Sequence, residues 1–128
     1  MSRWVHYNPN PDKRGKGDCA VRAVAKALGI SWDQAYSMLA AKGYALKDMP
    51  NANHVWGSVL RENGFDRWAI PNTCPDCYTA EDFATDHQEG TWVLGFGNHV
   101  CTIQNGKIFD SYDSSKEVPQ FYWTDMEG

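Results

Sequence analysis

The stretch His99-Val100-Cys101-Thr102-Ile103-Gln104-Asn105-Gly106-Lys107-Ile108-Phe109-Asp110 leaves the backbone few choices. Asn-Gly suits a two-residue type I′ turn, because both central residues of that turn need positive φ. With β-branched and apolar runs on either side, it predicts an antiparallel hairpin over 99–104 and 107–112. A two-residue turn also fixes the register: Gln104 opposes Lys107, Cys101 opposes Asp110 and His99 opposes Tyr112. Side chains alternate faces along a strand, so His99, Cys101, Asp110 and Tyr112 share one face. His99 and Asp110 are then diagonal neighbours, within reach of a carboxylate–imidazole hydrogen bond. Asp113 has the wrong parity unless a bulge intervenes.

A second constrained segment lies far upstream. Gly17-Asp18 precedes Cys19-Ala20-Val21-Arg22-Ala23-Val24-Ala25-Lys26-Ala27-Leu28. Asp18 is suited to an N-cap or first-turn acid, and Gly29 stops the helix. Ala20, Ala23, Val24, Ala27 and Leu28 form its apolar face, and the alanines predict close packing against a neighbour. Cys19 therefore heads a helix, where the positive end of the helix dipole favours a thiolate. Its backbone N–H has no intrahelical acceptor and is free to serve one side of an oxyanion hole. Cys19, His99 and Asp110 are the parts of a nucleophilic Cys-His-Asp site: thiolate, general acid–base and orienting acid. His6, His54 and His87 rank below His99, since none has a carboxylate in comparable register.

The rest of the chain fills in an α+β pattern. The lead-in, residues 1–17, holds Asn8-Pro9-Asn10-Pro11 and reads as extended and turn-rich. Ser31 and Gln34 form a capping box for a second helix that ends at Gly43, with Ala35, Met38 and Leu39 inward. A third helix starts at Asn51 or Asn53 and ends at Asn63-Gly64. Residues 65–70 predict a short strand, and Thr79 caps a short helix over 80–86. Thr91-Trp92-Val93-Leu94-Gly95-Phe96 predicts a central strand, and Phe121-Tyr122-Trp123 one more.

Composition decides what else such a chain can be. Its 128 residues fit one domain, 1–128, which buries roughly two-thirds of the unfolded chain's surface. Six Trp, six Tyr and five Phe supply the core. The net charge is −4, and the six basic groups of residues 1–30 form no stripe, so nucleic acid is not an expected partner. With no long apolar run and no apolar core near the N-terminus, no membrane association is expected and a cytoplasmic location follows. Four cysteines without a secretory signal predict reduced thiols. Cys74-Pro75-Asp76-Cys77 is a CxxC in a loop, without the second ligand pair that a zinc site needs. No metal or other cofactor is expected, with zinc at Cys74 and Cys77 as the competing reading.

Three matching segments, Gly17-Asp18-Cys19, Gly97-Asn98-His99-Val100 and Ile108-Phe109-Asp110, give the chain a family likeness. It resembles the papain-like cysteine peptidase superfamily in a minimal form, similar to the double-glycine bacteriocin-leader peptidases. There an Asp-Cys opens a helix, and a Gly-x-His-Val strand precedes a strand ending in Asp. The resemblance implies a papain-like α+β fold, with N-terminal helices packed on a C-terminal antiparallel sheet. It also implies a thiol hydrolase that acts on peptide, isopeptide or related amide bonds through a thioester, with a peptide or protein as substrate. Two positions depart from the pattern. Papain-like enzymes place an oxyanion-hole glutamine shortly before the cysteine, and Lys13 stands there; Asn10, Asn8 or Lys13 itself would have to replace it. Ala20 stands where papain has an aromatic residue. With Lys13 in that place and the aromatic 121–123 run free to dock a partner, the alternative is a non-catalytic binding or inhibitor protein of the same fold.

Overall fold

The computed structural model describes residues 3–14 and 17–126. Of the turn-rich lead-in, Met1, Ser2, Gly15 and Lys16 lie outside the described residues, as do Glu127 and Gly128 of the tail. The chain is α+β. In order it forms β1 (Trp4–His6), α1 (Cys19–Leu28), α2 (Trp32–Leu46), α3 (Asn53–Glu62), β2 (Asp66–Ala69), α4 (Ala80–Asp86), β3 (Thr91–Gly95), β4 (Val100–Gln104), β5 (Lys107–Asp110) and β6 (Phe121–Thr124). The strands make one sheet in the order β1-β5-β4-β3-β6-β2.

The hairpin forms in the expected register, with Gln104 opposite Lys107 and Ile103 opposite Ile108. Asn105 (φ 52°) and Gly106 (φ 75°) both adopt the positive φ that the turn requires. β3 sits in the middle of the sheet, between β4 and β6. Its side chains feed two cores by simple alternation. Val93 joins Trp56, Leu39, Val24 and Trp123 under α1, α2 and α3. Trp92 and Leu94 join Phe83, Ile103 and Ile108 under α4. The sheet is thus covered on both faces, which is why β3 reads as a continuous apolar run.

Several expectations need correcting. The sheet is mixed rather than antiparallel, because β1 pairs parallel with β5. Part of the lead-in is therefore a sheet strand. Helix α2 runs past Gly43 to Leu46. That glycine lies inside the helix because the chain turns back over it: a Cβ there would come 2.7 Å from the Asp48 carbonyl oxygen. The 121–123 run is no exposed docking tail, since β6 is an interior strand with Phe121 and Trp123 buried. Cys74 and Cys77 are joined in a disulfide, not reduced, so their sulfurs are spent on each other rather than offered to zinc. Among the described residues no cluster of three or more His, Cys, Asp or Glu side chains could hold a metal ion. Nor is any described helix long and apolar enough to cross a membrane.

Candidate active site

Helix α1 is buried almost all round: Ala20, Val21, Arg22, Ala23, Val24 and Ala25 are all covered. Such a helix must pack in the middle of its layer, and α1 lies across β4, where Thr102 Oγ1 donates a hydrogen bond to the Ala23 carbonyl, 2.8 Å away. This packing brings the first residue of α1, Cys19, to the rim of the sheet where β4 begins and β5 ends. His99 immediately precedes β4, and Asp110 is the last residue of β5.

His99 Nε2 lies 2.6 Å from Asp110 Oδ2. That leaves Nδ1 as the ring nitrogen available to the thiol. The His99 ring packs against Phe96 and Tyr112, with centroids 5.9 and 4.9 Å away. Asp110 is the acid that His99 meets, as strand parity required.

Asp110 is fully buried, and every side of its carboxyl group is held. Oδ2 also accepts from Ser114 Oγ at 2.7 Å, and Oδ1 accepts from the Ser111 backbone N–H at 2.8 Å. Its backbone carbonyl is clamped by the N-terminal strand, receiving Tyr7 N–H at 2.8 Å and Trp4 Nε1–H at 3.0 Å. The guanidinium of Arg22, 4 % exposed, lies 3.8 Å from Oδ1 through Nη2. Its Nη1 pairs with Asp18 Oδ1. Asp18 occupies the N-cap position of α1, yet its side chain does not cap the helix. Instead Oδ2 accepts from Trp32 Nε1 at 3.0 Å and Asn10 Nδ2 at 3.3 Å.

The charges in this cluster dictate its protonation. An ion moved out of water costs several kcal/mol unless partners offset it. Here the carboxylates of Asp18 and Asp110 flank a single guanidinium, which leaves one buried negative charge unbalanced. That charge draws a proton onto His99. Burial pushes the imidazole pKa down, but the hydrogen bonds and charges of Asp110 and Cys19 outweigh it and raise it to about 9. For Cys19 burial pushes the thiol up; hydrogen bonding from the His99 ring and the Val100 backbone, with the charges of His99 and Arg22, more than reverses this. Its pKa falls below the ordinary thiol value. Both shifts run in the direction of a thiolate–imidazolium pair. Cys101, by contrast, is pushed well above the ordinary value by burial and by Asp110, and is an inert core thiol.

The remaining sequence candidates fall elsewhere. Lys13 is exposed, and its ammonium donates to the Asn8 carbonyl at 3.3 Å. Asn10 is buried beside Asp18, with Oδ1 accepting from the Asp12 N–H at 2.8 Å. His54 does meet a carboxylate, that of Asp48, but on the surface and with no thiol at hand. His87 stacks on Phe83 with centroids 3.8 Å apart. Sequence reasoning missed Arg22 and Ser114. Arg22 carried a signal, a cation one turn after Asp18 in a helix whose only other charged residue is Lys26; Ser114, in an irregular segment, carried none. No family model, curated protein or solved structure matches the chain.

Proposed function

We propose that this chain is a cysteine-dependent amide hydrolase of papain-like architecture, with Cys19 as nucleophile, His99 as general acid–base and Asp110 as orienting acid. The observation that carries the reading is the ion-pair-forming trio at the sheet rim: a thiol of lowered pKa beside an imidazole that Asp110 holds at 2.6 Å. The order of parts matches the papain-like pattern, with the nucleophile opening a helix and the His and Asp on paired strands.

In the proposed reaction the Cys19 thiolate attacks the carbonyl carbon of an amide, forming a C–S bond. The oxyanion is met by the Cys19 backbone N–H. Of the three candidates for the second donor, Asn10 is better supported than Asn8 or Lys13, because its Nδ2 lies beside Asp18 at the head of α1. Lys13 is turned to the Asn8 carbonyl, and Asn8 Oδ1 accepts from the Asn10 N–H. The C–N bond then breaks as the His99 imidazolium gives its proton to the leaving nitrogen. Neutral His99 next takes a proton from water, whose oxygen adds to the thioester carbon. The C–S bond breaks, and the thiolate, the imidazolium and a carboxylic acid result. Asp110 keeps the ring oriented and stabilises its cationic form throughout.

The test is cleavage of a quenched-fluorescence peptide library, with an acid quench and mass spectrometry of the protein. The expected result is cleavage of at least one sequence class with an acyl adduct on Cys19, both lost in Cys19→Ala. Cleavage that persists undiminished in that variant would sink the proposal.

A further inference from the structure

A cavity of about 420 Å³ opens on the opposite flank of the helical layer, between α3 and the β6–β2 edge. Its apolar floor comes from Leu46, which is exposed, and from the small part of Phe121 and Trp123 that remains accessible, and its walls carry two arginines. Arg67, paired with Trp123 across β2 and β6, lays its guanidinium over the Phe121 ring, 4.3 Å from the centroid. Arg61, from the last turn of α3, lies over Trp123 at 5.1 Å. Both guanidinium planes are therefore held by aromatic faces.

What they lack is an acid. Among the described residues neither Arg61 nor Arg67 takes part in an ion pair. Of the acids near them along the chain, Glu62 pairs with Lys42 and Asp48 pairs with His54. Asp66 precedes Arg67 on β2 and so points to the opposite face of the sheet, without an ion pair to either arginine. Two guanidinium groups that line one cavity without an ion pair, on arginines exposed at its mouth, form a local excess of positive charge in a chain of net charge −4.

We propose that this groove binds a carboxylate carried on an apolar body: the arginines take the carboxylate, and the Phe121, Trp123 and Leu46 floor takes the body. A flat two-oxygen anion matches the guanidinium fork, and the volume fits a ligand of one or two residues. Such a group is offered by the C-terminal end of a peptide and by a free aromatic or aliphatic acid. The site is independent of the thiol chemistry proposed above.

The test is titration of the whole protein, followed by the NMR signals of the arginine Nε–H and tryptophan indole groups. The probes are N-acetyl-Leu-Phe, its C-terminal amide, 3-phenylpropionate and phenyl phosphate. The acids are expected to bind at least tenfold tighter than the amide, a comparison that needs no variant. Arg61→Gln with Arg67→Gln is expected to weaken acid binding at least tenfold, and Cys19→Ala to leave it unchanged. A tighter dipeptide identifies a peptide terminus as the source, and equal binding of 3-phenylpropionate a small acid; either supports the carboxylate site. Equal affinity for acid and amide, binding indifferent to both arginines, or a tenfold preference for phenyl phosphate would overturn it.

Discussion

Arg22 stands between two buried carboxylates, paired with Asp18 one turn back on its own helix and 3.8 Å from Asp110 on β5. It is the only contact by which the helix bearing the thiol balances the charge of the strand bearing the acid, among the ion pairs of the described residues. Removing it leaves Asp18 without a counter-charge and Asp110 with His99 alone. Arg22→Met is expected to destabilise the fold by on the order of 3–5 kcal/mol. Urea unfolding should show a lower midpoint at an unchanged slope; a midpoint equal to wild type would mean that the pair contributes nothing.

The thiols should differ sharply in reactivity. At neutral pH iodoacetamide is expected to label Cys19 quickly and Cys101 hardly at all, since the latter is buried with a raised pKa. Cys74 and Cys77 should stay silent without reductant. His99→Ala removes the partner that stabilises the thiolate and is expected to slow Cys19 labelling by about tenfold or more. Uniform slow labelling of Cys19 and Cys101 would contradict the electrostatics of the site.

The pH profile follows from the signs of the two shifts. In the proposed reaction the working pair is thiolate and imidazolium, so activity is expected to rise as pH climbs through the lowered pKa of Cys19 and to fall as it passes the His99 value of about 9. Stability tracks the same histidine. A folded pKa raised above the unfolded value contributes stability that is complete below about pH 6.5 and is lost as pH rises through about 9. Peptide hydrolysis and thermal unfolding across pH 5 to about 10.5 check both; an alkaline limb centred near 6.5 would show that Asp110 does not hold the proton on His99.

Asp110 and Ser114 separate orientation from charge. Asp110→Asn keeps the shape but removes the negative charge that stabilises imidazolium, and is expected to lower kcat by about 100-fold or more. Ser114→Ala deletes the 2.7 Å hydrogen bond to Oδ2 and leaves the charge. It should cost about 1.5–3 kcal/mol of stability and lower kcat far less. Equal kcat losses in the two variants would remove the distinction.

Gly95 ends β3 with the Phe121 ring packed directly on it, and a Cβ there would fall 2.1 Å from the ring. Gly95→Ala is expected to destabilise by about 1–3 kcal/mol through overpacking. A crystal structure should show Phe121 displaced; an undisturbed ring at wild-type stability would refute the packing argument.

Local chemistry was legible in the sequence wherever a short segment determines its own shape. Asn105-Gly106 fixed the hairpin and so the His99–Asp110 pairing; Ser31 with Gln34, and Thr79 at 80–86, marked true helix starts. What escaped depends on partners distant along the chain. Three residues, Trp4–His6, are too few to show a period, and their strand exists only because β5 offers an unpaired edge. Gly43 looked like a stop because the loop that folds back over it lies beyond the helix. The 121–123 run looked exposed because nothing near it announces that β2 and β3 enclose it. Asp18 one turn earlier hinted at a partner for Arg22, but its burial against Asp110 as well shows only once β5 is in place beside α1.

The parallel β1–β5 ladder has a consequence for how the molecule comes alive. A ribosome delivers the thiol early, but the imidazole, the acid and the edge that the first strand completes all arrive much later. A half-made or unravelled chain therefore carries an ordinary cysteine. The contacts that lower its pKa, from His99, Val100 and Arg22, come together only in the folded chain, where the first strand clamps the Asp110 carbonyl behind His99.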